Sequence, residues 1–71
     1  MTEVPVVDVR DMLCAQALAV VSNAMARVRA GQAIEVLTNA EDVRHDLLAW
    51  ANQRGYPVAI ASSTLRITRT A

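Results

Sequence analysis

The sequence predicts an α+β fold, a two-layer α/β sandwich of order β-α-β-α-β-β with two helices packed on one face of a four-stranded mixed sheet. Three observations predict it. Apolar residues recur at helical spacing in two segments, each followed by a glycine. Four short runs with strand character surround these segments, and the last two follow one another directly. An apolar fraction of 54% with only two Gly and two Pro argues for a packed core rather than disorder.

The elements follow in order. "VPVVDV" (4–9) is short and β-branched and reads as a strand. In "ALAVVSNAMARVRAG" the period changes: Leu18, Val21, Met25 and Val28 form one apolar stripe at three- and four-residue steps. Arg27 and Arg29 belong to the last turn of that helix, with Gly31 as its C′ residue. "AIEVLT" (33–38) is a second, buried strand. Asn39 is read as the N-cap of the second helix, because its side chain can accept from a free amide. Glu41 and Asp42 then sit where the helix dipole favours acids. Val43, Leu47 and Trp50 mark the inner face, supported by Leu48 and Ala51, and Gly55 ends the helix. "YPVAIA" and "TLRITR" are two strands joined at Ser62–Ser63. Right-handed crossovers running the same way put both helices on one side of the sheet.

At 71 residues the chain has room for one domain, 1–71, with a small core; chains of this size bury only about 60% of their unfolded surface. Phe is absent and Trp50 and Tyr56 are the only aromatics, so the core is aliphatic. Seven Arg balance seven acidic residues, and no aromatic platform is visible. Both facts argue against nucleic acid as a partner. The absence of Lys excludes Schiff-base chemistry on a side-chain amine. A lone cysteine excludes an internal disulfide and a Cys-rich zinc site. The opening "MTEVPVVDV" lacks the basic and apolar regions of a secretory signal, and no apolar run approaches the roughly 20 residues needed to cross a bilayer. The expected setting is cytoplasmic and reducing, away from membranes.

The residue that invites a functional reading is Cys14, where strand-like sequence gives way to helix-like sequence. If Asp11 caps the first helix, Cys14 is its N3 residue, near unpaired amides and the positive end of the dipole. Arg10 would favour a thiolate and Asp11 would oppose it. Equally, Cys14 lies four residues before Leu18 on the apolar stripe, and unreactive cysteines are commonly buried as small hydrophobes. The residues alone leave both readings open.

The run Asp8-Val9-Arg10-Asp11-Met12-Leu13-Cys14-Ala15-Gln16-Ala17 resembles the signature of the TusA/SirA-like sulfur-carrier family, Asp-x-Arg-Gly-x-x-Cys-Pro-x-Pro between the first strand and first helix. The Gly31 turn, the strand "IEVLT", Asp46 and Trp50 on the second helix, and Gly55 before the terminal hairpin extend the resemblance over nearly the full length. It implies the same β-α-β-α-β-β sandwich. It also implies that Cys14 carries sulfane sulfur as a persulfide, received from a cysteine desulfurase or rhodanese-type donor protein and passed to an acceptor protein, with no cofactor. Asp8 and Arg10 match positions of the motif loop and Asp11 stands at its glycine position, and the resemblance implies that the three support the loop rather than perform chemistry. Five positions depart from the pattern: Asp11 replaces the glycine, Ala15 and Ala17 replace both prolines, and Asn39-Ala40 replace an acid and a proline after the second strand. Alanine is a strong helix former, so the first helix is expected to begin early, near Asp11, with Cys14 inside its first turn. The rival to a sulfur carrier is an adaptor or regulatory domain that retains the fold without the transfer. A peroxide-sensing thiol is a third reading, distinguished by sulfenic acid.

The remaining candidates have simpler explanations. His45 lies about 200° from Val43 on a helix and faces solvent, and a lone helical His does not make a metal site. Trp50 shares the apolar stripe and reads as core. Arg44 and Arg54 read as solvated charges, and Arg66 and Arg69 as charges protecting a sheet edge. A homodimer through the exposed sheet or an edge strand is compatible with this layout.

Overall fold

A computed structural model describes residues 4–70. Six elements follow in the expected order: β1 (Val6–Asp8), α1 (Cys14–Arg27), β2 (Ala33–Leu37), α2 (Glu41–Arg54), β3 (Val58–Ala61) and β4 (Thr64–Thr68). The sheet order is β1-β2-β4-β3, with β1 parallel to β2 and the other neighbours antiparallel. Mixed pairing follows from the connections: a helical crossover joins β1 to β2, while a two-residue turn joins β3 to β4.

Alternation along β2 and β4 builds the core. Ile34 and Val36 lie opposite Ile67 and Leu65, and all four are fully buried under the helices. Ala17, Val21 and Met25 of α1 and Val43, Leu47 and Ala51 of α2 close over them. Glu35 and Arg66, one residue out of phase, point to the uncovered face of the sheet. Trp50 is half-buried; it meets Tyr56 edge-on at 5.8 Å, and the Arg54 guanidinium lies 5.5 Å from its ring centre. Arg54 thus has an aromatic partner rather than a purely solvated place.

Several local expectations are corrected. The first helix does not start near Asp11: Leu13 is its N-cap and Cys14 its first residue. Asp11 is held in a turn at φ +66°, outside any helix, so Cys14 is N1 rather than N3. Asn39 does not cap α2. Ala40 occupies that position without a side-chain cap, and Asn39 is drawn instead to Asp11. Gly31 is not the C′ residue of α1, because the helix stops at Arg27 and Val28 turns to extended backbone and buries its side chain. Gly31 lies further on at φ +88°, a conformation that suits glycine.

Arg66 and Arg69 do not guard an edge, since β4 lies between β2 and β3. Arg69 reaches across to α1, where its Nη1 donates to the carbonyls of Met25 (3.0 Å) and Val28 (2.6 Å). These carbonyls have no acceptor role left within the helix, so a cation there satisfies both hydrogen bonding and the dipole. The end of α2 meets expectation: Gly55 is left-handed at φ +75°, and the Tyr56 amide donates to Ala51 O at 2.9 Å.

Candidate functional site

The site is the junction of the β1–α1 loop with the start of α2. After β1 the chain reverses over Val9–Met12, closed by the Met12 N–H donating to Val9 O at 3.3 Å. Asp11 is the third residue of this turn, a place where a positive φ usually calls for glycine; Asp is among the few other residues that tolerate it. Val9 is buried and Met12 packs against the core, so both feet of the turn are anchored. Leu13 then stands 74% exposed, and Gln16 Oε1 accepts from its amide at 3.2 Å.

Asp8 and Arg10 pair with each other. Asp8 Oδ1 accepts from the Arg10 backbone N–H and from Nε, both at 3.0 Å, and Oδ2 accepts from Nη2 at 2.9 Å. Chiefly through the side-chain hydrogen bond, Arg10 holds the Asp8 carboxyl down at about 2. With its guanidinium committed in this way, Arg10 is a brace for the loop.

Asp11 and Asn39, 28 residues apart, form a closed pair. The Asp11 N–H donates to Asn39 Oδ1 at 3.0 Å, and Asn39 Nδ2 donates to Asp11 Oδ1 at 2.8 Å. The β2–α2 loop is secured from its other side as well: buried Thr38 donates through its backbone N–H to Ser63 O at 3.2 Å.

Cys14 is half-buried at the first position of α1. The positive end of the helix favours a thiolate, but two carboxylates of α2 outweigh it. The Asp46 carboxylate favours the protonated thiol most strongly, partial burial adds to the effect, and the charge of Asp42 completes it, so Cys14 is pushed up to about 11. The resting group is therefore a thiol. Asp42 and Asp46 are four residues apart and flank the buried Val43–Leu47 seam, which sets them where α2 faces α1. That spacing was the available signal for their role, because the i,i+4 acids border a stripe that must contact the first helix. His45 is exposed and lines a groove of about 520 Å³ with Leu48, Tyr56 and Val58; Cys14 is not among the groove's lining residues.

Comparison with family models returns a match to Sulfurtransferase TusA over residues 6–68, which includes every strand and both helices. The chain belongs to the TusA sulfurtransferase family. No curated protein and no solved structure gives a significant match. Membership in the TusA family supports a sulfur-carrier role of the sulfurtransferase type, a role that involves sulfur donors and acceptors. Among the described residues, no helix is long and apolar enough to cross a membrane.

Proposed function

We propose that the chain is a cytoplasmic sulfur carrier acting as one domain, with Cys14 accepting sulfane sulfur as a persulfide and relaying it to a second protein. One observation carries this reading: the TusA match over residues 6–68 takes in the chain's only cysteine. The half-buried position of that cysteine at the start of α1 supports it.

The chemistry is sulfur transfer between thiols. The Cys14 sulfur attacks the outer sulfur of a persulfide held by a cysteine desulfurase or rhodanese-type donor. A new S–S bond forms at Cys14 as the donor's own S–S bond breaks, and the donor leaves as a thiolate that takes up the proton lost by Cys14. No net oxidation occurs. The step depends on thiolate fraction and access, as thiol–disulfide exchange does. With no second thiol in the sequence, discharge goes to an acceptor outside it, a second protein in this reading. Asp8, Arg10 and Asp11 act as supports of the loop in this account.

The test is the intact mass of the reduced chain after incubation with a desulfurase and cysteine, or with a rhodanese and thiosulfate. The wild type is expected to gain one sulfur atom, reversibly with reductant, and Cys14→Ser to gain none. No gain with either active donor would overturn the proposal. One observation favours a second reading, that of an adaptor without transfer: Cys14 is pushed up to about 11, which leaves little thiolate near neutral pH. In that case native Cys14 would take no sulfur, and partner capture would be indifferent to Cys14→Ser.

A further inference from the structure

We propose that Asp11 and Asn39 are positioning residues, a clamp that sets the start of α1 against the start of α2 and thereby fixes where the Cys14 sulfur points. Prolines at the entrance of a helix stiffen it by fixing φ, and here the first turn carries Ala15 and Ala17 instead. The clamp supplies restraint from outside the helix. Its two hydrogen bonds close a ring that fixes both the Asn39 amide and the Asp11 carboxylate. One side of the ring belongs to a turn rooted in buried Val9 and core-packed Met12. The other belongs to a loop rooted in buried Thr38, whose amide and hydroxyl both point to Ser63 O. Asp11 is three residues before Cys14, and Asn39 three before Asp42, so the clamp spans the two helix entrances whose side chains meet at the thiol.

The geometry also explains why a non-glycine residue occupies a positive-φ position. Left-handed backbone costs most L-residues about 1 kcal/mol or more. At position 11 an aspartate offsets that cost with a bond that glycine could not make. The two positions are therefore coupled. A carboxylate at position 39 would lose the donor now serving Asp11 and would face a like charge. Glycine at position 11 would remove that charge while keeping the backbone N–H that position 39 accepts from.

The experiment is a double-mutant cycle on the full chain, using Asp11→Gly, Asn39→Asp and their combination, with Asn39→Ala as a variant that adds no charge. Two rates are read on protein shown to be folded by circular dichroism: alkylation of native Cys14 by iodoacetamide, and sulfur loading from a cysteine desulfurase with cysteine. Freed from its place beside Asp46 and Asp42, the thiol of Asn39→Asp should alkylate roughly tenfold faster, the scale expected for one lost hydrogen bond together with the like-charge contact it creates with Asp11. Its loading should slow by about tenfold, because transfer needs orientation as well as exposure. Opposite changes in the two rates are not what a general loss of stability would give. The combination D11G/N39D should return both rates toward wild type, and D11G/N39A should match N39A rather than the sum of the single effects, because N39A already removes both bonds.

Equal alkylation rates across the set, or simple additivity in both combinations, would overturn the clamp. Should N39D fail to fold, the D11G/N39A cycle decides by the same criterion. The loading rates rest on the carrier reading, but the alkylation rates do not. A wild type that takes up no sulfur while the coupled alkylation pattern persists would remove the carrier and leave the clamp standing.

Discussion

Cys14 sits in competing fields: the positive end of α1 favours its thiolate, whereas Asp46 and Asp42 hold the proton on. Because the folded-state value is raised, the protonated thiol contributes to stability below the unfolded value near 8.5, and that contribution is lost as pH rises through about 11. Alkylation of native Cys14 should accordingly keep climbing about tenfold per pH unit well above pH 9. In Asp46→Asn the profile should shift to lower pH and the rate at pH 7.5 should increase. An unchanged profile in that variant, measured by iodoacetamide kinetics, would exclude Asp46 as the controlling group. Asp8 shows the opposite sign. Its folded value is lowered to about 2, so the Arg10 pairing contributes above the unfolded value near 3.9 and fades as pH falls through 2. Urea midpoints of wild type and Arg10→Ala should differ modestly at pH 6, draw together below pH 4 and coincide only below pH 2. The motif loop was legible in the sequence as a set of residues, but its geometry was not. Asp11 and Asn39 each looked like an isolated departure, and only the fold brings positions 28 apart into contact.

At the scale of elements, periodicity carried most of the information. Of the α1 stripe, Val21, Met25 and Val28 are buried and Leu18 is half-buried; on α2, Val43, Leu47 and the supporting Ala51 are buried while Trp50 and Leu48 are half-buried, and the alternation in β2 reappears as buried Ile34 and Val36. Helix ends were less legible, for a physical reason. The end of α2 is local, made by Gly55 in left-handed backbone, and was read from the chain. The end of α1 depends on Arg69, more than 40 residues away, and no local pattern announces it. Arg69→Ala should therefore cost about 1–3 kcal/mol, since it strands two carbonyls of a helix terminus that a charged donor now serves. Chemical denaturation would show the loss, and Arg69→Lys should recover only part of it because one ammonium lacks the reach of the planar fork. A variant as stable as wild type would mean that water replaces the guanidinium at no cost.

For the whole molecule, one aliphatic core supports both layers, and a chain this short has little stability in reserve. Leu47→Ala, at a fully buried position under the sheet, should cost about 2–5 kcal/mol and bring the chain close to unfolding at room temperature. A thermal melt comparable to wild type would show that the core relaxes around the gap. The layout also explains why the site lies at the edge. Helices cover one face of the sheet, and Cys14 emerges where both helices begin, beside exposed Leu13, so a donor protein can approach without opening the core. The decisive readout is the mass of the Cys14 peptide after native loading by a desulfurase and cysteine, trapping with iodoacetamide and proteolysis. A sulfur carrier gives an alkylated persulfide, one sulfur atom heavier than the alkylated thiol. Alkylated thiol alone, with the donor shown to be active, would contradict it.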